Sequence, residues 1–325
     1  MSIKLSICIP TFNRAECLQE CLVSLGTSIT GHESEIEVVI SDNASTDDTR
    51  DIVQVFQETH PKIRYHRNDR NIGAERNFYA VALMASGEYI WIFGDDDKME
   101  PDAIAIALRK IEEQFDIIVN NYSIWTRDFR FLKKRRAISW IGDRCYDDAG
   151  ELMKDFGIHL DLVSSVIVKK EFFLKTPFSD YDRYSEYGMS FMYAIYAGAI
   201  DHCRAVFVDR PIFRFRSGNS GAYFDWYKYF VVGSTMAFDE LETKGYTKSA
   251  VQAAKARTLR ELVIPQMLYM KLGTPIDSNI VLKLTLPLYK KELLFWIKGI
   301  PALYVPASLV RLAKRLVGIF RRLRE

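Results

Sequence analysis

The sequence predicts an α/β fold in which a Rossmann-like, mostly parallel sheet is flanked by helices and followed by a helical C-terminal region. Two observations predict this fold. Short apolar runs alternate with amphipathic segments of helix length up to residue 119, and polar loops follow the runs. From Phe224 onward, only helical periodicity remains. Because alternating strands and helices form parallel sheets through right-handed crossovers, we expect the polar loops to gather at one edge of the sheet.

The first half of the chain contains five predicted strands, at residues 3–9, 36–40, 62–66, 88–93 and 115–119. Helices are expected between them. They comprise residues 18–25 with Gly26 as the expected end, a segment around residues 52–56, a segment opened by Asn71, and residues 101–114. The last of these begins with Pro101, since proline is favoured at the first helical position.

The run at residues 85–98, ASGEYIWIFGDDDK, carries the strongest functional signal. Its strand is apolar throughout, as in strands buried on both faces of a sheet, and it ends in three adjacent carboxylates: Asp95, Asp96 and Asp97. Ligands bind at the carboxyl ends of strands in open α/β sheets. The carboxylates therefore fit a divalent cation shared with a phosphate-bearing substrate. The alternative is a solvated acidic turn that caps the next helix.

Other polar loops supply groups suited to a nucleotide. A carboxylate at a strand end, such as Asp42, can accept hydrogen bonds from a nucleobase, and the guanidinium groups of Arg14 and Arg76 can hold phosphate. The loop that begins at Asn71 should converge with them. The chain contains no GxxxxGK[ST] loop and no GxGxxG motif, which argues against a P-loop nucleotidase and against a typical dinucleotide enzyme.

The second half has fewer clear signals. Residues 162–168 are predicted to form a strand, and residues 180–187 to open a helix that continues to Gly198. Residues 125–140 mix Arg and Lys with aromatic side chains, which suits either a hairpin over a bound substrate or a solvated basic loop.

The C-terminal helices carry most of the excess positive charge. Residues 280–325 contain ten Lys and Arg against two Glu, so the net charge of +2 combines a basic tail with an acidic body. Basic amphipathic helices with aromatic residues suit the headgroup region of an anionic membrane, so we expect a peripheral attachment. A partner helix is the alternative. Nucleic acid is not expected, since the tail offers no aromatic sheet for stacking bases.

The cysteine pattern and the N-terminus favour a reducing compartment. The five cysteines form no CxxC pair, residues 1–10 resemble a strand rather than a secretory signal, and no apolar run is long enough to span a bilayer. We therefore expect a cytoplasmic protein that is peripheral on the inner face of the plasma (inner) membrane.

Four motifs in order, SICIPTFNR, VVISDNASTDDT, NIGAERN and ASGEYIWIFGDDD, resemble those of the GT-A-type family 2 glycosyltransferases. Within that family the resemblance is greatest to bacterial enzymes of O-antigen and surface-glycan synthesis, including abequosyltransferase-like enzymes. It implies a GT-A domain at residues 1–222, with a nucleotide-sugar half (1–121) and an acceptor half (122–222). Residues 223–325 would be the helical, membrane-associating region.

The resemblance also assigns residues to roles. It implies that the donor nucleotide is bound by Pro10, Thr11, Asn13, Arg14, Asp42, Asn71, Arg76, Asp95 and Asp96. The acidic triplet would be the DxD motif that binds Mn²⁺ or Mg²⁺, with Asp95 and Asp97 favoured as ligands. Gly94 occupies the place of the usual first acid, so the motif is shifted. Glu186 is the expected general base and Asp182 the second choice, whereas an acid favoured by a helix dipole is the alternative.

Arg214 and Arg216 lie in a segment, residues 210–220, that resembles the loop closing over donor phosphates; solvated turn arginines are the alternative. The expected reaction is inverting transfer of a sugar from a nucleotide-sugar to a hydroxyl of a lipid-linked glycan. Two other functions stay open: a nucleotidyltransferase, and a membrane-docked scaffold without catalysis. The oligomeric state stays open as well.

Overall fold

The computed structural model describes residues 3–60, 62–218, 227–272 and 277–322, with side-chain surroundings up to residue 316. Its strands are β1 (Leu5–Thr11), β2 (Ile36–Asp42), β3 (Ile63–Arg67), β4 (Tyr89–Ile92), β5 (Lys98–Met99), β6 (Ile117–Trp125), β7 (Leu132–Lys134), β8 (Arg144–Tyr146), β9 (Val166–Lys169) and β10 (Ala205–Arg216).

Helices connect and follow these strands. They are α1 (Ala15–Ile29), α2 (Thr49–Thr59), α3 (Ala74–Met84), α4 (Ala103–Glu112), α5 (Ala149–Phe156), α6 (Lys170–Leu174), α7 (Phe178–Asp182), α8 (Ser190–Ala199), α9 (Ser234–Lys244), α10 (Lys248–Thr258), α11 (Ile264–Tyr269), α12 (Ser278–Tyr289), α13 (Ile300–Tyr304) and α14 (Ala307–Arg322). Short 3₁₀ turns precede β9 and α8, and π-helical turns join α10 to α11 and lead into α9 and α13.

Within the described residues the strands form one mixed sheet in the order β3-β2-β1-β4-β9-β6-β10-β5, with β7 beside β6 and β8 beside β10. Strands β1 to β4 are parallel to their neighbours in this part of the sheet, as expected from their alternation with helices. Strand β9 departs from the parallel direction of these strands, since it is antiparallel to β4 and to β6. A short apolar run does not reveal its direction, because a buried strand has the same pattern either way.

The sheet is covered on both faces, which explains why its strands are apolar throughout. Alternate residues of β4 enter different cores: Tyr89 and Trp91 pack with α1 and α4, whereas Ile90 and Ile92 pack with α3 and the helices of the second half. A third apolar cluster joins the π-helical turns with α11, α12 and α13. Because β1, β2 and β4 run parallel, the polar loops that follow them meet at the same edge of the sheet, the one formed by the carboxyl ends of these strands.

Three local predictions were wrong. Helix α1 continues through Gly26 to Ile29, because one interior glycine does not break a helix whose leucines pack against the sheet. The segment expected to open α8 is instead a separate helix, α7, and a 3₁₀ turn; Gly188, with a φ of 60°, ends that turn before α8 begins at Ser190. Residues 210–216 belong to β10 rather than to a loop, while Asn219 and Ser220 lie outside the described residues.

Candidate active site

A cavity of about 470 Å³ opens at the carboxyl edge of the sheet. The loop after β1, the turn after β4 and the start of α3 form its walls. Six of the residues predicted to bind substrate line it: Pro10, Thr11, Arg14, Asn71, Asp95 and Asp96. Asn43, Asn77, Phe78 and Val163 line it as well and were not predicted. The convergence of separate loops, expected from the parallel strands, is thus present in the fold.

Two side chains, one at the end of β1 and one in the loop after it, hold the carboxylate of Asp95. Asp95 is 4% exposed, accepts a hydrogen bond from Thr11 Oγ1 at 2.7 Å, and lies 3.1 Å from Arg14 Nη1. Burial raises the pKa of Asp95 to about 6, because desolvation outweighs the attraction of the guanidinium. Asp96 shares the same Arg14 nitrogen, at 3.3 Å. One guanidinium nitrogen thus contacts both carboxylates at the cavity wall.

Asp97 has a different environment. It is 3% exposed and does not line the cavity. Ser164 Oγ donates to its Oδ2 at 2.6 Å, and the backbone N–H of Arg216 donates to its Oδ1 at 3.1 Å. Burial and the neighbouring Asp96 raise the pKa of Asp97. Both carboxylate oxygens of Asp97 thus already accept hydrogen bonds from the protein.

Ser164 connects the acidic triplet to β9. It is fully buried, and its Oγ also accepts a hydrogen bond from the backbone N–H of Gly94 at 2.9 Å. Its carbonyl accepts from Trp91 Nε1 at 2.9 Å. The sequence offered one signal for this role: two serines interrupt an otherwise apolar run, LVSSVIV.

An amide network fixes the loops after β2 and β3. Asn43 donates to Asn71 Oδ1 at 2.8 Å and accepts from Asn68 at 3.1 Å, and Asn68 also donates to Asn77 Oδ1 at 3.0 Å. Asn77 is itself held by Ser41, with bonds of 2.7 and 2.9 Å to its side chain. The amides bond each other, so the cavity wall is organised before any ligand is bound.

Asp42 and Asn13 lie behind this wall. Asp42 is buried, accepts from Tyr65 Oη at 2.6 Å and from the backbone N–H of Ser45 at 2.8 Å. Asn13, in the left-handed region with a φ of 50°, accepts from the backbone N–H of Thr46 at 2.8 Å. Neither residue lines the cavity. Their contacts hold together the two loops that form it.

The arginines predicted to hold phosphate are engaged by carboxylates. Arg76 forms a two-point pair with Asp182, at 2.6 and 3.2 Å, and Arg214 forms one with Glu100, at 2.8 and 3.0 Å. Arg216 is buried, and its guanidinium donates to the Asp96 carbonyl at 2.8 Å and to the Arg127 carbonyl at 2.7 Å. None of these three arginines lines the cavity.

The two candidate bases differ in their surroundings. The guanidinium of Arg76 lowers the pKa of Asp182, which weakens that carboxylate as a base. The Glu186 side chain is 76% exposed, and its nearest cation is Lys228 Nζ at 3.8 Å. Neither carboxylate lines the cavity beside the triplet.

The donor set of the triplet fits a hard divalent cation. Asp95 and Asp96 present carboxylate oxygens at the cavity, where a cation would offset the repulsion between the two carboxylates. No cluster of three or more His, Cys, Asp or Glu side chains arranged as a complete metal site is present among the described residues. The remaining ligands would have to come from the substrate or from water.

Fold and site together define a GT-A-like protein with a candidate nucleotide-binding edge. A family model described as "Glycosyl transferase family 2" matches residues 6–175, more than half of the chain. The chain therefore belongs to glycosyltransferase family 2.

Two curated relatives act in bacterial glycan assembly by their names. Abequosyltransferase RfbV of Salmonella typhimurium is 43% identical over 114 residues, 35% of this chain and 34% of that protein. GalNAc(5)-diNAcBac-PP-undecaprenol beta-1,3-glucosyltransferase of Campylobacter jejuni is 30% identical over 119 residues, 36% of this chain and 38% of that protein. The match thus spans about a third of the length of each relative.

Solved structures show the same fold at low identity. S. aureus TarS 1-349 in complex with UDP-GlcNAc has a TM-score of 0.62 and 16% identity, covering 85% of this chain and 78% of that one. The mannosyltransferase PcManGT of Pyrobaculum calidifontis, in complex with GDP-Man and Mn²⁺, has a TM-score of 0.54 and 15% identity, covering 96% of this chain and 88% of that one. The GT-A-like fold is confirmed.

Proposed function

We propose that this protein transfers a sugar from a nucleotide-sugar to a hydroxyl group of a glycan acceptor in bacterial surface-glycan synthesis. The observation that carries the proposal is the cavity at the carboxyl edge, which places two carboxylates and Arg14 beside a preorganised amide wall. Family membership supports the reaction class. The names of the relatives support a bacterial glycan, and a lipid-linked acceptor follows from one of them by analogy.

Residues around the cavity have distinct roles in this proposal. Asp95 and Asp96 would hold a divalent cation, Mn²⁺ or Mg²⁺, which when bound would stabilise the charge on the departing nucleoside diphosphate. Asp96 is favoured over Asp97 as the second ligand for two reasons. Asp96 lines the cavity whereas Asp97 does not, and both oxygens of Asp97 already accept hydrogen bonds from the protein. Arg14 remains beside the leaving group as a fixed positive charge.

For the acceptor hydroxyl, Glu186 is the proposed base. Its carboxylate is exposed, with Lys228 Nζ at 3.8 Å, whereas Asp182 is fixed by a two-point pair with Arg76. A base on the face of the sugar opposite the diphosphate would give inversion at the anomeric carbon.

Membrane attachment is the further part of the proposal. Large apolar side chains are exposed along the C-terminal helices, among them Leu293, Ile297, Leu309, Leu312 and Leu316. Lys and Arg residues are interspersed with them along α12 to α14. Apolar and basic side chains on one amphipathic segment match the interface of an anionic bilayer. Among the described residues, no helix has the length and apolar character needed to cross a bilayer.

The test is a thermal-shift screen of the full chain with UDP, GDP, CDP and dTDP, each with and without Mn²⁺. We expect one nucleotide to stabilise the protein only when the metal is present. Asp96→Asn should abolish that shift, Asp97→Asn should do so only if Asp97 is a ligand, and Asp51→Asn on exposed α2 should leave it unchanged. If no nucleotide stabilises the protein in the presence of Mn²⁺, the proposed donor site is wrong.

Turnover separates an enzyme from a scaffold of the same fold. With the stabilising nucleotide supplied as its sugar conjugate, together with Mn²⁺ and a bacterial lipid extract, an enzyme releases nucleoside diphosphate. A scaffold binds the donor and releases none.

A further inference from the structure

A second cavity, of about 410 Å³, lies beyond the 3₁₀ turn Val163–Ser165 that borders the first. Val163 lines the first cavity and Ser165 lines the second, and the two cavities share no lining residue. The wall between them contains Ser164, whose hydroxyl bonds Asp97 at 2.6 Å. A ligand in the second cavity would thus lie next to the acidic triplet without occupying the nucleotide cavity.

Asn120 gives this cavity an unmet hydrogen-bonding requirement. Its side chain is 0% exposed and lines the cavity, and neither its amide oxygen nor its amide nitrogen has a hydrogen-bond partner in the described part of the chain. Burying an amide without partners is unfavourable, and an apolar residue of the same shape would avoid that cost. A group with both donor and acceptor capacity is therefore expected to meet Asn120 in the cavity.

The charged side chains of the lining already have partners. Glu261 lies 2.7 Å from His159 Nε2 and 3.2 Å from Arg257, and Asp155 accepts from Tyr146 Oη at 2.8 Å. The group of this cavity that has no hydrogen-bond partner among the described residues is therefore the neutral amide of Asn120 and not a charged side chain. This favours an uncharged ligand rich in hydroxyl groups over a phosphate or a cation.

Aromatic side chains complete the lining. Trp140 and Phe156 contact each other edge to face, with their ring centroids 5.4 Å apart, and Tyr122 lines the cavity as well. Apolar ring surface beside an amide matches a sugar ring, which has both C–H faces and hydroxyl edges.

We propose that the second cavity binds a sugar residue of the acceptor glycan, with the Asn120 amide exchanging hydrogen bonds with its hydroxyls. The proposal rests on the proposed function, in which a sugar acceptor must lie beside the donor. The sugar of the nucleotide-sugar donor is the other sugar that could occupy this cavity. The absence of shared lining residues between the two cavities favours the acceptor.

The test uses saturation-transfer NMR on the full chain, with methyl glycosides of glucose, galactose, mannose and rhamnose as probes. At least one glycoside should bind, and Asn120→Leu should weaken its binding by about fivefold, the effect of losing one or two hydrogen bonds. Asn279→Ala, far along the chain in α12, should leave binding unchanged. Nucleoside diphosphate with Mn²⁺, measured by thermal shift, should stabilise all three proteins equally.

A stability measurement distinguishes a ligand-binding amide from a structural one. Asn120→Leu should keep or raise the melting temperature, because it removes an unpartnered buried amide; a structural amide would give a lower one. Should Asn120→Leu not fold, Trp140→Leu tests the same cavity and should likewise weaken glycoside binding.

Three results overturn the inference: no glycoside binds while the nucleotide does, Asn120→Leu leaves glycoside binding intact, or the substitution weakens only the nucleotide-sugar relative to the nucleoside diphosphate. The last result would assign the cavity to the donor. If nucleoside diphosphate with Mn²⁺ does not raise the melting temperature of the unsubstituted protein, that result contradicts the proposed function and not the assignment of the second cavity.

Discussion

Asp95 illustrates how one side chain can be both well ordered and poised for a ligand. Thr11 and Arg14 hold its two oxygens, yet burial still raises its pKa to about 6, well above the usual range of an aspartate. Burial thus outweighs the favourable contacts that Thr11 and Arg14 make with the ionised carboxylate. A cation at this position would further stabilise the ionised form, and protons would compete with it for the same oxygens.

Donor binding should therefore depend on pH. The carboxylate of Asp95 is ionised above its pKa of about 6 and protonated below it, so metal-dependent affinity is present at high pH and lost as the pH falls. Between pH 7.5 and 5.5 we expect affinity for the Mn²⁺–nucleotide complex to drop about fourfold from this residue alone. Isothermal titration at both pH values checks this, with metal-free nucleotide as the control. A flat profile would contradict the assignment of Asp95.

Gly188 sets the connection between α7 and α8. It has a φ of 60°, and a side chain at this position would overlap the ring of Tyr229. We expect Gly188→Ala to destabilise the protein by about 3 kcal/mol, through both backbone strain and overlap. Gly142→Ala is the matched control: its φ of 82° is also left-handed, but no atom lies within 4 Å of the added carbon. That variant should lose only about 1 kcal/mol, and equal losses in urea unfolding would argue against the packing role.

Two half-buried acids, Glu75 of α3 and Asp161 of the 3₁₀ turn Gly157–Asp161, interact electrostatically. One carboxylate oxygen of each residue, Oε2 of Glu75 and Oδ1 of Asp161, is buried and has no hydrogen-bond partner in the described part of the chain. Burial raises the pKa of both carboxyl groups, that of Glu75 to about 7, and the charge of Glu75 raises the pKa of Asp161 further because like charges repel.

This pair should make folding stability depend on pH in a defined window. The folded state holds protons on these carboxyl groups where the unfolded chain has released them, so stability falls as the pH rises from about 4.5 to about 7. Glu75→Gln, which keeps the shape and stays neutral, should flatten the fall in melting temperature over that window. An unchanged slope in the variant would show that other groups cause it.

The C-terminal helices should determine where the whole protein partitions. Deleting the chain after Gly299 removes α13 and α14, with six of the ten basic residues counted from residue 280 onward. We expect the truncated protein to lose binding to vesicles containing anionic phosphatidylglycerol, because it loses both charge and exposed apolar surface. Vesicle sedimentation at low and high salt measures this, with neutral phosphatidylcholine vesicles as the control. Undiminished sedimentation would refute the attachment.

Much of the nucleotide half could be predicted from the sequence, because its strands are apolar throughout and its loops carry distinctive polar motifs. Asp95, Asp96, Arg14 and Asn71 accordingly line one cavity at the edge of the sheet where ligand loops were expected. The second half was harder for two physical reasons. A short buried run does not encode strand direction, as β9 shows, and a helix boundary set by one glycine in a tertiary contact, as at Gly188, leaves little trace in periodicity.

Contacts between side chains that are far apart in the sequence could not be predicted either. Nothing in the order of residues indicates that Arg76 meets Asp182, that Arg214 meets Glu100, or that the Asn120 amide has no hydrogen-bond partner among the residues that the structure describes. Such contacts depend on long-range packing, which local patterns do not specify.

The position of Ser164 has a thermodynamic consequence. The Ser164 hydroxyl, in the wall between the two cavities, donates a hydrogen bond to the Asp97 carboxylate, and the next residue, Ser165, lines the second cavity. Occupation of either cavity that displaces this serine must alter the free energy of filling its neighbour, and by the same amount in both directions. The binding free energies of donor and acceptor, each measured alone, should therefore not add up to the binding free energy of the ternary complex. The deviation from additivity is the coupling free energy that this one buried hydroxyl transmits.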